Sequence, residues 1–113
     1  MIKVYGIKNC DSVKKALSFF KKHALDYEFI DYKTQPLPCE TIKSWLKDAS
    51  IEKLFNAKST TYRELKLKEL NLDDETKSEW LCKHNLLIKR PVVVTNKGIL
   101  VGFDEAIYEG ELL

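Results

Sequence analysis

Hydrophobic and polar positions change period several times along the chain, and each change marks an element. Residues Ile2 to Tyr5 alternate around Val4 and stop at Gly6, the pattern of a short strand closed by a turn. From Asp11 the apolar positions Val13, Ala16, Leu17 and Phe20 follow i, i+3, i+4, i+7 spacing, while Lys14, Lys15, Lys21 and Lys22 fall mostly elsewhere. That spacing predicts an amphipathic helix with one buried stripe. Tyr27 to Tyr32 returns to a period of two with many aromatics, a second strand leading into Gln35, Pro36 and Pro38. Two strands joined by a crossover helix are normally parallel with a right-handed connection, so this opening predicts an α/β layer structure.

The middle of the chain reads as helical. Thr41 to Lys47 places Ile42, Trp45 and Leu46 on one face, Ile51 to Phe55 gives a short turn, and Asp73 to His84 carries Thr76, Trp80 and Leu81. At Arg90 the character changes. Pro91 opens the β-branched run Val92 to Thr95; Asn96, Lys97 and Gly98 supply a turn, and Ile99 to Val101 returns as a hairpin partner. Asp104 suits an N-cap for a last helix over Glu105 to Glu111, with Ile107 and Tyr108 available to pack inward. This order is that of an α/β, thioredoxin-like mixed sheet with an inserted helical segment. At 113 residues a single domain, 1–113, is expected.

Composition narrows the function classes. With 44% hydrophobic and 32% charged residues the chain can build a core, and its net charge of +2 is spread without the basic stripe that phosphate-backbone binding needs. Nucleic acid is not expected as a direct partner. No run approaches the roughly 18 apolar residues of a membrane span, and the charged N-terminus has no signal-peptide core, so a cytoplasmic location and no membrane are expected. A monomer is the expected state. Three cysteines, Cys10, Cys39 and Cys82, are an odd number at wide spacing. They argue against a disulfide framework, so free thiols are expected, with Cys39 and Cys82 structural.

The sharpest chemical feature is Gly6-Ile7-Lys8-Asn9-Cys10-Asp11, a strand-to-helix turn that delivers a cysteine to a helix N-terminus. Unpaired backbone N–H groups and the positive end of the helix dipole favour a thiolate there, and the thiolate is the nucleophile. Lys8 and Lys14 add to this field and Asp11 opposes it. The alternative is a small buried apolar residue, as most free cysteines are, but a turn position outside the apolar stripe favours reactivity. Val13 stands where a CxxC pair would have its second cysteine, so Cys10 works as a single thiol. Resolution then needs glutathione or a comparable thiol, or one of Cys39 and Cys82.

A second feature is Ile88 to Val94, where Pro91 opens a strongly β sequence and Arg90 precedes it. A strand-start proline lacks only a donor, so it is ordinary there; a cis bond would aim Arg90, whose planar fork can hold an oxyanion or carboxylate bidentately. A third is Leu54 to Leu65, a polar loop between apolar turns. Lys58, Ser59, Thr60 and Thr61 are able to bind an anion, although capping is favoured for Thr60 and Thr61, with Glu64 three residues after Thr61. His23 and His84 have no partner at metal-ligand spacing and are expected at the surface, so no metal is expected.

Together the segments KVYGIKNCDSVKKA, DYEFIDYK, LFNAKSTTYREL, IKRPVVV and VGFDEAIYEGEL resemble the ArsC/Spx/YffB family, the arsenate reductase family, most closely its YffB-like branch. The resemblance implies a thioredoxin-like sheet with a helical insertion and a nucleophile at Cys10. It also implies an anion-holding arginine at Arg90 before a cis proline, with Asn9, Lys58 and Pro91 in substrate binding. No bound cofactor is implied; glutathione is the co-substrate and glutaredoxin a protein partner. The chain departs from the arsenate reductase pattern in its middle loop. Asn56 occupies the arginine position of true reductases, and Lys58 the one used by the YffB and Spx branches. A further arginine expected after the hairpin is absent from Leu100, Val101, Gly102 and Phe103. Lysine is a point charge and cannot replace a bidentate fork. Arsenate is therefore expected to be a poor substrate and a small thiol compound a better one. The rival expectation is an Spx-like regulator that binds RNA polymerase without turnover; its redox switch normally needs the CxxC pair that Val13 removes.

Overall fold

The apolar alternation at the start of the chain builds strand β1 (Ile2–Gly6), an interior strand of a four-stranded sheet. The others are β2 (Tyr27–Asp31), β3 (Val92–Thr95) and β4 (Gly98–Val101), in the spatial order β2-β1-β3-β4. In this computed structural model, which describes residues 1–113, β1 and β2 are parallel with Ile2 opposite Tyr27 and Gly6 opposite Asp31. β3 is antiparallel to β1, with Val4 opposite Val93, and pairs with β4 as a hairpin. The sheet is therefore mixed and the architecture is the α/β, thioredoxin-like one expected.

The chain divides into two compact units. One comprises Met1–Asp31 with Arg90–Leu113, the other Tyr32–Lys89. In the first, helix α1 (Asp11–Lys22) is the crossover between β1 and β2 and buries Val13, Ala16, Phe19 and Phe20. Its last turn is closed by the Leu25 N–H donating to the Phe20 carbonyl (2.9 Å) and by Ala24 in the left-handed region (φ 53°). Phe19 and Phe20 meet Val4, Val93 and Tyr108 in one core, Tyr108 coming from the C-terminal helix α6 (Glu105–Leu112). The buried Tyr108 hydroxyl donates to the Gly102 carbonyl (2.6 Å), and burial pushes its phenol well above the ordinary range. Asp104 caps α6 by accepting from the Ile107 N–H (3.2 Å). His23 is half-buried rather than at the surface, because its ring lies 4.4 Å from that of Phe19 at the end of α1.

The second unit is helical and lies in sequence between β2 and β3. It contains α2 (Cys39–Trp45), α3 (Ile51–Leu54), α4 (Thr60–Glu64) and α5 (Asp74–Lys83), with 3-10 turns at Leu67–Leu70 and Asn85–Leu87. Helix α2 begins two residues before the expected Thr41, because Pro38 takes the N-cap position and its carbonyl accepts from the Thr41 N–H (3.0 Å). Ile42, Trp45, Leu54, Leu67, Leu81 and Leu87 are buried. Asn85 ties the segment together, its side chain accepting from the Leu37 N–H and donating to the Leu81 carbonyl, each at 2.9 Å. Loop Asn56–Ser59 is held by the Asn56 N–H donating to the Leu87 carbonyl (2.8 Å). No helix is long and apolar enough to cross a membrane.

Candidate functional site

Gly6 ends β1 at a point where α1 comes very near. A Cβ added there would lie 2.7 Å from Val13 Cγ2, so lack of a side chain is what lets strand end and first helical turn meet. Between them runs the turn Ile7 to Cys10, with Lys8 and Asn9 exposed. Cys10 is the N-cap residue of α1, in an extended conformation (φ −138°, ψ 122°), and its carbonyl accepts from the Lys14 N–H at 3.0 Å. Its side chain makes no capping hydrogen bond. Cys10 is a free, half-exposed thiol at the N-terminus of a 12-residue helix, where first-turn N–H groups lack intrahelical acceptors and favour an anion. Asp11, in that first turn, brings a carboxylate beside it.

Sheet register supplies the neighbour. Tyr5 pairs with Val92 across the antiparallel β1–β3 ladder, so the chain leaving β1 toward Cys10 and the chain entering β3 through Arg90 and Pro91 occupy the same end of the sheet. The Arg90–Pro91 bond is cis. Pro91 is buried, its carbonyl accepting from the Gly102 N–H (2.8 Å), while Arg90 is half-exposed. Asp31 ends β2 at that sheet end too, opposite Gly6.

Asn56 and Lys58 belong to the helical unit, in the turn between α3 and α4. Lys58 is exposed, and its backbone N–H donates to the Asn56 side-chain oxygen (3.0 Å). The capping expected of Thr60 and Thr61 falls instead to the buried Ser59, whose hydroxyl accepts from the Tyr62 N–H (3.1 Å). The helix starts one residue before Thr61, so the hydroxyl able to reach its first free N–H groups belongs to Ser59. His84 is exposed and stacks on Trp80 at 5.3 Å. No group of three or more His, Cys, Asp or Glu side chains is arranged to hold a metal ion.

The expectation of three free thiols is overturned. Cys39, the first residue of α2, and Cys82, in the last turn of α5, form a disulfide with their Cα atoms 5.0 Å apart. Packing of α2 against α5 brings together two residues 43 positions apart, and such a pairing has no local signature. Cys82 stands next to the buried Leu81, whereas Cys39 lies between the exposed Pro38 and Glu40.

The ArsC family model matches residues 5–110. The chain belongs to the ArsC family. Among relatives, an uncharacterised protein of Haemophilus influenzae is 37% identical over 110 residues, 96% of each chain. The solved structure of a YffB protein matches with a TM-score of 0.92 and 32% identity, covering the whole of both chains. The global transcriptional regulator Spx 2 of Bacillus cereus is 24% identical over 110 residues, 93% of this chain and 82% of its own. The fold is thus arsenate reductase-like, with YffB-like homologues and Spx regulators among its relatives.

Proposed function

We propose that this ArsC-family protein is a glutathione-dependent monothiol oxidoreductase with Cys10 as its nucleophile. The observation that carries the reading is a half-exposed free thiol at the N-cap of α1, unused as a cap, at the sheet end where Arg90 enters β3. The Cys10 thiolate attacks the sulfur of a mixed disulfide and displaces the substrate thiol, leaving Cys10 joined to glutathione. A second glutathione thiolate attacks that bond, giving glutathione disulfide and the free enzyme. Arg90 holds the anionic part of the incoming compound, and Asn9 and Pro91 are the further substrate contacts. Two observations favour a resolving thiol from solution. Val13, at the second position of a CxxC motif, is buried, and Cys39 and Cys82 are bonded to each other.

The test is reduction of a glutathione mixed disulfide, with arsenate as the paired substrate, by wild type, Cys10→Ser and Arg90→Lys. Cys10→Ser is expected to lose all turnover. Arg90→Lys is expected to lose roughly 10- to 100-fold in kcat/KM, the equivalent of a charge-assisted bond worth about 1.5–3 kcal/mol. Arsenate turnover should be weak throughout. Undiminished turnover in Cys10→Ser would sink the reading. The Spx relative favours a second one, a regulator without turnover, which co-purification with RNA polymerase by a catalytically silent wild type would support.

A further inference from the structure

The Cys39–Cys82 bond joins two helices of the helical unit and plays no part in the Cys10 chemistry described above. Neither cysteine is buried. Both line an open groove of about 340 Å³ between α2 and α5. Its floor is apolar, from the buried Ile42 and the half-buried Leu46, and its rim carries Lys43, Glu75 and Glu79, all exposed. The hydroxyl of Ser78, also in the wall, is occupied by the Asp74 carbonyl (3.0 Å). A disulfide is opened only by a thiolate that reaches one of its sulfurs, so access decides whether such a bond is inert or exchangeable. Here the groove reaches both cysteines and has the volume of a small-molecule cleft. The rim sums to one negative charge, two carboxylates against one ammonium, and flanking Glu40 and Lys83 cancel each other.

We propose that Cys39–Cys82 is a second thiol–disulfide exchange site, separate from Cys10, that admits small uncharged or cationic thiols through this groove and disfavours anionic ones. A thiolate attacks one sulfur of the pair, breaks the S–S bond, and leaves a mixed disulfide plus the other cysteine as thiolate. A second small thiol attacks the mixed disulfide, so two thiols become one small-molecule disulfide and the protein gains two electrons and two protons as a dithiol. Run in reverse, a small-molecule disulfide re-forms the link between α2 and α5.

The experiment uses Cys10→Ser, in which only this pair can react. The protein is treated without denaturant with cysteamine, dithiothreitol or 3-mercaptopropionate, alkylated, and read by intact mass. Each rate is divided by that thiol's rate toward a short peptide disulfide, which removes differences in intrinsic reactivity. A unit charge about 7 Å away in water changes an encounter about 2.7-fold, so cysteamine, two unit charges more positive than 3-mercaptopropionate, should exceed it about sevenfold at low salt and far less at high salt. Two alkyl adducts on folded protein, with that order of rates, is the expected result. In Glu75→Gln/Glu79→Gln, exposed changes that leave the core untouched, the preference should vanish or invert. The proposal is overturned if reduction requires denaturant, if anionic thiols react as fast as cationic ones, or if the two thiols fail to re-pair with cystamine. None of these outcomes depends on whether Cys10 turns over a substrate.

Discussion

Replacing Gly6 by alanine tests how the Cys10 turn is held. The new methyl would stand 2.7 Å from Val13 Cγ2, about 1 Å inside the ordinary carbon–carbon contact of roughly 3.5–4.0 Å. Val13 cannot yield easily. It is only 1% exposed, and a β-branched side chain in a helix keeps one strongly preferred rotamer. The remaining relief is a shift of the first turn of α1 away from β1. Overpacking of this kind costs about 1–3 kcal/mol. Alanine recovers about 0.4–1 kcal/mol by restricting the unfolded chain, since Gly6 has no positive φ to protect. The expected net loss is about 1–2 kcal/mol, measured by urea unfolding followed by far-UV circular dichroism. Fluorescence would not serve, because both tryptophans, Trp45 and Trp80, lie in the helical unit. In a Val13→Ala background the clash is gone, so Gly6→Ala should be neutral or slightly stabilising there, a coupling of at least about 1 kcal/mol. Alkylation of Cys10, the single free thiol, should change rate in Gly6→Ala and recover in the double variant. A fully stable Gly6→Ala, or additive effects in the cycle, would refute the argument that this close approach positions the turn.

Three further outcomes are expected. Cys39→Ser/Cys82→Ser should be less stable than wild type by about 4 kcal/mol, the loop-closure value for a cross-link spanning 43 positions; a loss under about 1 kcal/mol in urea melts would contradict it. Stability should fall as pH rises past about 10, because the buried Tyr108 keeps its proton when folded and releases it more readily when unfolded. Tyr108→Phe, which removes both the titration and the hydrogen bond to Gly102, should flatten that alkaline loss while lowering stability by about 1 kcal/mol at pH 7.

What could be read from the chain is what neighbouring residues settle among themselves. The stripe Val13, Ala16, Phe20 marked the buried face of α1, the Val92–Thr95 run and its turn marked the hairpin, and Asp104 marked the start of α6. These are short-range preferences, in which period and turn chemistry act within a few residues. Cys10 stands at the helix N-cap for the same reason, since its position depends only on where β1 stops and α1 starts. Phe19 lies outside that periodic stripe yet is buried, because its ring meets those of Phe103 and Tyr108. In the loop before α4 several hydroxyls compete for one cap, and Ser59 holds it.

Meetings of distant segments were decided by tertiary structure alone. Register between β1 and β3 brings the turn before α1 and the Arg90–Pro91 approach to one end of the sheet, across more than 80 positions of chain. Packing of α2 on α5 converts two cysteines with no local relation into a bond. Contacts between residues far apart in sequence leave no periodic trace in either segment, because each partner satisfies its own helix or strand equally well with or without the other. The sequence therefore determined where a thiol would stand at a helix N-terminus, and the packing determined that this thiol was the one left free.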